Sequence, residues 1–216
     1  MRRCLSIVLA LGAVLIGAPA ASAEIIEVGR IDNPAPPSCP ANPCLAVSRT
    51  SGFQVKVGDT ANLMTAPKAG RVVAFTMALA KPDDNQINFF NTNLGGEPQA
   101  RISVFKPSKD RKRYKLTGQG ELVNLTPYLG QTAQFPLVQT LRVAQGDVIG
   151  LTVPTWAPSL AVGLERKDGW RASRPKASCD DTRGQAAMQR VSGKVPFDCL
   201  YRTARLTYSA TLISTP

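Results

Sequence analysis

The groups that usually do chemistry near neutral pH are scarce in this chain. It contains no histidine. That removes the common general base, the Ser-His and Cys-His nucleophile pairs, and the commonest ligand of catalytic zinc. The sequence also holds no GxxxxGK loop for phosphate and no GxSxG elbow for a nucleophilic serine. One SxxK occurs, from Ser103 to Lys106. Penicillin-binding enzymes need that motif at a helix start, where Ser and Lys meet one turn apart. Here the surrounding alternation predicts a strand, in which positions three apart face opposite sides. Carboxylates remain, as the pairs Asp83-Asp84 and Asp180-Asp181. A glycosidase sets two carboxyls about 5–10 Å apart across a sugar, whereas adjacent aspartates in a loop are ordinarily solvated. The stretch PDDNQIN (82–88) is rich in oxygen ligands. Asp83, Asp84 and Asn85 are therefore candidates for calcium, although their order is not that of an EF-hand loop. No catalytic residue and no other cofactor is expected.

Binding chemistry is better supplied. KPSKDRKRYK (106–115) sets Lys106, Lys109, Arg111, Lys112, Arg113 and Lys115 against a single acid. At a hairpin tip these cations would grip phosphate or carboxylate polymers, with an affinity that falls steeply with salt. The competing reading is a solvated turn that blocks edge pairing. Tyr114 is the only aromatic residue there, so no stacking series for specific nucleic-acid recognition is expected. Both tryptophans lie between positions 156 and 170. Trp156 sits between Pro154 and Pro158, a stiff loop that would lower the entropy lost when a sugar stacks on an exposed indole. Trp170 precedes Arg171 and is followed by Arg174, which could reach a carboxylate. These four residues are the ligand-binding candidates. The plainer alternative is that one or both rings cap the core.

The N-terminus gives an address. Arg2 and Arg3 precede the apolar run LSIVLALGAVLIG, and Ala21-Ser22-Ala23 supplies small residues for cleavage before Glu24. Residues 1–23 are read as a signal peptide, and no later run is apolar enough to span a membrane. The remaining 193 residues carry 24 basic and 15 acidic side chains, a net charge of +9. A cationic exported protein is drawn to anionic surfaces such as wall polymers and acidic polysaccharides. Four cysteines remain, Cys39, Cys44, Cys179 and Cys199, and an even number in an exported chain reads as disulfides. Of the three possible pairings, Cys39–Cys44 and Cys179–Cys199 are favoured. The first closes CPANPC, which two prolines already bend. The second closes a loop of about 20 residues, worth roughly 3 kcal/mol of chain entropy. A zinc site is the rival reading, but it would need thiolates in an oxidising place without a histidine to help.

The elements that must position these residues read as strands. Apolar residues alternate or come in short runs, and Gly and Pro, 17 each, punctuate them. RVVAFTMALA (71–80) is the best central strand, with Val73, Phe75, Met77 and Leu79 on one face. ARISVF (100–105) and RYKLTGQ (113–119) form a hairpin pair. Gly146-Asp147 turns into DVIGLTV (147–153), and residues 154–158 read as loop. LYRTARLTYSATLI (200–213) closes the chain with one wet face. Single helical turns are expected near 86–91 and 183–191. The 174–199 segment, pinned by its disulfide, is a candidate lid or rim. Residues 24–51 read as an N-terminal strand with a Pro-rich disulfide segment, and 52–216 as an all-β, two-sheet antiparallel sandwich, jelly-roll-like, with about ten strands.

Several phrases carry a resemblance: AP-x-x-G around Ala66–Gly70, ARISV, VNLTPY, LRVAQGDVIGLTVPTWAP, WRASRP and TARLTYSATL. Together they resemble small, uncharacterised exported proteins of high-GC Gram-positive bacteria, over about residues 50–213. More loosely, LRVAQGDVIGL is similar to a strand-turn-strand phrase of jelly rolls, including carbohydrate-binding modules and C1q-like domains. The resemblance implies a fold and an address, and no catalytic residues. The expectation is a secreted or cell-wall-associated, non-enzymatic protein that binds a glycan or anionic wall polymer. The alternatives are a structural envelope or matrix protein with protein partners, and a carboxylate-based hydrolase.

Overall fold

The computed structural model describes residues 22–110, 112–191 and 193–216. The leader through Ala21 and the basic-patch residue Arg111 lie outside them. The described residues form an all-β, antiparallel, sandwich-like fold. Its strands are β1 (Ile25–Val28), β2 (Val47–Val57), β3 (Thr60–Ala61), β4 (Gly70–Ala78), β5 (Gln99–Pro107), β6 (Arg113–Gln119), β7 (Val123–Asn124) and β8 (Thr132–Val143). There follow β9 (Val148–Ala157), β10 (Leu160–Val162), β11 (Gly169–Ala172), β12 (Lys194–Pro196), β13 (Cys199–Arg202), β14 (Ala204–Leu206) and β15 (Tyr208–Ser214). Fifteen strands replace the ten expected, because several have only two to four residues. The closing run 200–213 is three strands in three different sheets.

The small sheet has the order β1-β15-β4-β8, and β10 pairs with β14 as a separate ribbon. The large sheet runs β12-β6-β5-β9-β2-β11-β13, with β3 and β7 added to its side. Its outermost strands, β12 and β13, are separated in sequence only by Phe197 and Asp198. Two residues bridge about 11 Å at most. A flat seven-stranded sheet would hold its margins about 29 Å apart. The sheet must therefore curl until its margins nearly meet. Phe197 is fully buried where they do, with ring centroids 5.0 Å from Tyr114, 5.3 Å from Phe105 and 5.4 Å from Phe53.

The small sheet closes the main core. Phe75, Met77, Ala210 and Leu212 are buried in one cluster with Ile102, Ile149 and Leu151. The Tyr208 hydroxyl donates to the Ile149 carbonyl at 3.0 Å and ties the two sheets together. Strand β4 does not keep the simple alternation of its sequence. A register shift between Val72 and Ala74 buries Val72 and leaves Val73 half-exposed, before Phe75, Met77 and Leu79 resume the inward phase.

One helix, α1 (Asp84–Leu94), crosses outside this frame, and it is longer than the single turn expected. Asp83 caps it: its carboxylate accepts from Gln86 N at 2.8 Å, and Gln86 Oε1 accepts from Asp83 N at 2.9 Å. Gly95 ends it at φ 97°, the left-handed conformation that favours glycine. Phe90 and Leu94, one turn apart, are buried with Cys39, Ala80 and Trp156 in a second small core. Both favoured cysteine pairs are disulfides. No helix among the described residues is long and apolar enough to cross a membrane.

Candidate functional site

The residue with the most suggestive sequence setting is not on the surface. Strand β9 continues through Pro154 and Thr155 to Ala157, so the expected 154–158 loop is strand up to Pro158. Pro154 is tolerated because the β2–β9 register shifts between Ser48 and Thr50, and β5 stops pairing at Thr152. A proline in a strand needs such a place, where no ladder donor is missed. The bulge residue Arg49 takes φ 46°. Trp156 is fully buried, and its indole N–H is shared between Asn91 Oδ1 at 3.0 Å and the Gly96 carbonyl at 2.9 Å. The Phe90 ring lies 4.8 Å away. Trp156 seals the sheet to α1 and offers no face to a sugar.

Trp170, Arg171 and Arg174 also serve the fold. Trp170 is 5% exposed and packs on Tyr201, ring centroids 4.7 Å apart. Gly52 makes room for it, since a Cβ there would meet the indole at 2.8 Å. The Trp170 indole N–H has no acceptor among the described residues. Arg171 Nη1 donates to the Phe197 carbonyl at 3.1 Å, across the seam of the curled sheet. Arg174 is buried and reaches carbonyls rather than a carboxylate. Nη1 donates to Asp181 O at 2.6 Å and Gly184 O at 2.8 Å, and Nη2 to Ser48 O at 2.9 Å. Burial pushes its pKa down from the ordinary arginine value. Such a guanidinium is a staple for the 176–186 chain.

That chain lies along strand edges and over buried hydroxyls. Ala186 N bonds Arg49 O at 2.8 Å, Ser173 Oγ donates to Ala186 O, and Met188 N donates to Ser51 Oγ. Beneath it, Ser51 and Ser103 each meet Thr152 Oγ1 at 2.8 Å. The SxxK serine is thus buried in a hydroxyl chain, while Lys106 faces solvent. The acidic candidates have structural employment too. The Asp83 carboxylate is the α1 cap, and Asp84 lies in the first helical turn. Asp181 Oδ1 accepts from Gly184 N. No group of three or more His, Cys, Asp or Glu side chains fit to hold a metal lies among the described residues.

The basic patch is a surface feature, and it acquires a member the sequence did not suggest. The expected hairpin β5–β6 forms, with Lys106 directly opposite Lys115. On the other side of β6, Lys194 of β12 stands opposite the same Lys115. Directly opposed residues share a face. Lys106, Lys115 and Lys194 therefore form one exposed row across three strands, with a pitch of about 4.8 Å. Arg113, two residues from Lys115, shares that face, while Lys109 and Lys112 belong to the exposed turn. Lys194 stands 79 positions beyond Lys115, and the short GKVPF gives only a trace of alternation. The ion pairs of the described residues are Lys68–Glu24, Lys167–Asp59 and Arg205–Asp168, so none neutralises the row. Like charges directly opposite cost stability, and a bound anion removes that cost.

Two of the surface concavities lie beside the sheets described above. A groove of about 410 Å³ lies between the chain after β1 and the small sheet. Gln134, Thr76 and Ser209 line it in register, beside Glu27, Arg30 and Arg205. A second cavity, of about 310 Å³, opens between the β10–β14 ribbon and the Trp170–Tyr201 pair. No protein-family model, curated protein or solved structure matches the chain. Fold and surface chemistry therefore carry the functional reading.

Proposed function

We propose that the chain is an exported, non-enzymatic binding protein whose ligand is an anionic envelope polymer, a wall polymer or acidic glycan bearing phosphates or carboxylates. The observation that carries this reading is the row Lys106–Lys115–Lys194, set in register and unpaired by acids among the described residues. Export is supported by the N-terminal pattern and by two disulfides, which fit an oxidising compartment. The burial of both tryptophans moves the reading away from stacking on neutral sugars and towards charge. The absence of histidine and the capping and turn roles of Asp83 and Asp181 support a binding role over hydrolysis.

The test is a pull-down of the mature protein with purified cell walls over a salt series, beside the triple variant Lys106→Gln, Lys115→Gln, Lys194→Gln. Three lost phosphate contacts lower the slope of log affinity against log salt by about 2. Equal binding by the two proteins at every salt concentration sinks the proposal. A second reading has one observation of its own. Among the described residues strand β1 is a margin of the small sheet, and its Ile25 is 72% exposed. Such an edge suits a structural envelope protein with protein partners. Cross-linking in native cells from a photoreactive residue substituted for Ile25, giving a stable protein adduct, would support it.

A further inference from the structure

The cavity between the β10–β14 ribbon and Trp170 differs in chemistry from the lysine row. Leu160, Val162 and Ala204 line it from the ribbon. The ribbon's alternate positions, Ala161 and Arg205, belong to its other face. Trp170 and Tyr201 form the opposite wall, and Leu45 stands beside the cavity, 45% exposed. Several of the polar atoms around it are already engaged, the Trp170 indole N–H apart. Arg174 holds backbone carbonyls, Tyr201 Oη donates to Cys179 O at 2.6 Å, and Ser48 Oγ donates to Thr182 O at 3.2 Å. A sugar would find few partners there, and an apolar chain would lose little.

The exposed charged group left without a counter-ion is Arg202. It lines the cavity, is exposed, and makes one 3.3 Å hydrogen bond, to the Arg166 carbonyl. It has no ion-pair partner among the described residues. Both disulfides brace the walls: Cys44 directly precedes Leu45, and Cys199 shares β13 with Tyr201. Braced walls reduce the ordering cost of binding. The volume of about 310 Å³ lies near the lower end of ligand pockets. It holds roughly ten water-sized groups, the length of a medium acyl chain.

We propose that this slot binds a medium-chain acyl carboxylate, its chain against Leu160, Val162, Ala204 and the Trp170–Tyr201 wall, and its carboxylate on Arg202. The slot shares no residue with the lysine row, so the two proposals fail separately.

Isothermal titration of the disulfide-intact mature protein with decanoate tests it. Saturable binding at one site per chain is expected, weaker by at least tenfold for butyrate. Val162→Trp fills the slot and should reduce decanoate affinity at least tenfold. Arg202→Gln, at an exposed position, should reduce it several-fold while leaving 1-decanol unaffected. The triple lysine variant should bind decanoate as the wild type does. Equal affinity for butyrate and decanoate, unchanged binding by Arg202→Gln, or tighter binding of 2-naphthoate than of decanoate would each overturn the acyl assignment. The chain-length series on the wild type stands even if Val162→Trp fails to fold.

Discussion

Replacing Trp156 with phenylalanine separates a core plug from a binding platform. The indole is fully buried, and its N–H has two acceptors, Asn91 Oδ1 at 3.0 Å and Gly96 O at 2.9 Å. Phenylalanine keeps the contact with Phe90 but removes that donor and roughly 40 Å³ of ring, a cavity worth about 1 kcal/mol. The lost hydrogen bond and its stranded acceptors add about 1–2 kcal/mol. A loss of about 2–3 kcal/mol in a chain of this size lowers Tm by about 4–12 °C. Calorimetry of the mature, disulfide-intact protein measures it. Acrylamide quenching supplies an independent readout. With Trp156 at 0% and Trp170 at 5% exposure, the native protein should quench weakly until it unfolds. Binding to cell walls should be unchanged, because the ring reaches no surface. An unchanged Tm together with lost wall binding would refute the placement of Trp156, as would strong quenching of the native state.

Two further outcomes follow from buried polar groups. Burial holds the Tyr208 pKa well above its ordinary 10.0. Its neutral form therefore contributes stability that is full below about pH 10 and is lost as pH rises from there towards the folded-state value. Tyr208→Phe should lower stability near neutrality by about 1–3 kcal/mol, through the stranded Ile149 carbonyl, and flatten the alkaline decline. Denaturant melts at pH 8 and pH 11 would show whether that decline survives the substitution. Asp83→Ala removes the cap of α1 and should cost about 1 kcal/mol. Hydrogen exchange should quicken first in the initial turn of the helix, and a uniform increase over the whole chain would contradict the local role.

The legible parts of this fold are those set by neighbours in sequence. The β5–β6 hairpin follows from two alternating runs around a charged turn. The disulfide Cys39–Cys44 follows from a short, bent loop, and Cys179–Cys199 from its spacing. The Gly146-Asp147 turn feeds β9 as expected, with Asp147 Oδ2 accepting from Ala144 N at 2.9 Å. Helix α1 was legible only in part. Its capping box, Asp83 with Gln86, sits in a stretch whose oxygen-rich composition points equally to cation ligands. The aspartates decide nothing until Phe90 and Leu94 find Trp156 to cover.

The misread residues share one physical cause, which is that long-range register changes the meaning of a local pattern. Prolines at 154 and 158 read as loop because a ladder needs its N–H groups. At Pro154 none is needed, since β5 has already stopped pairing with β9 and the bulge at Arg49 opens the β2 side. Strand β9 therefore carries its tryptophan inward. The same logic hides Lys194. No alternation near 194 specifies a partner, yet only two residues join β12 to β13. Once Phe197 is drawn into the aromatic cluster, β12 must lie against β6, and its pairing register sets Lys194 beside Lys115. The closure that completes the core thus also assembles the cationic row. A substitution that loosens the seam, such as Phe197→Ala, should accordingly weaken wall binding without touching a charge.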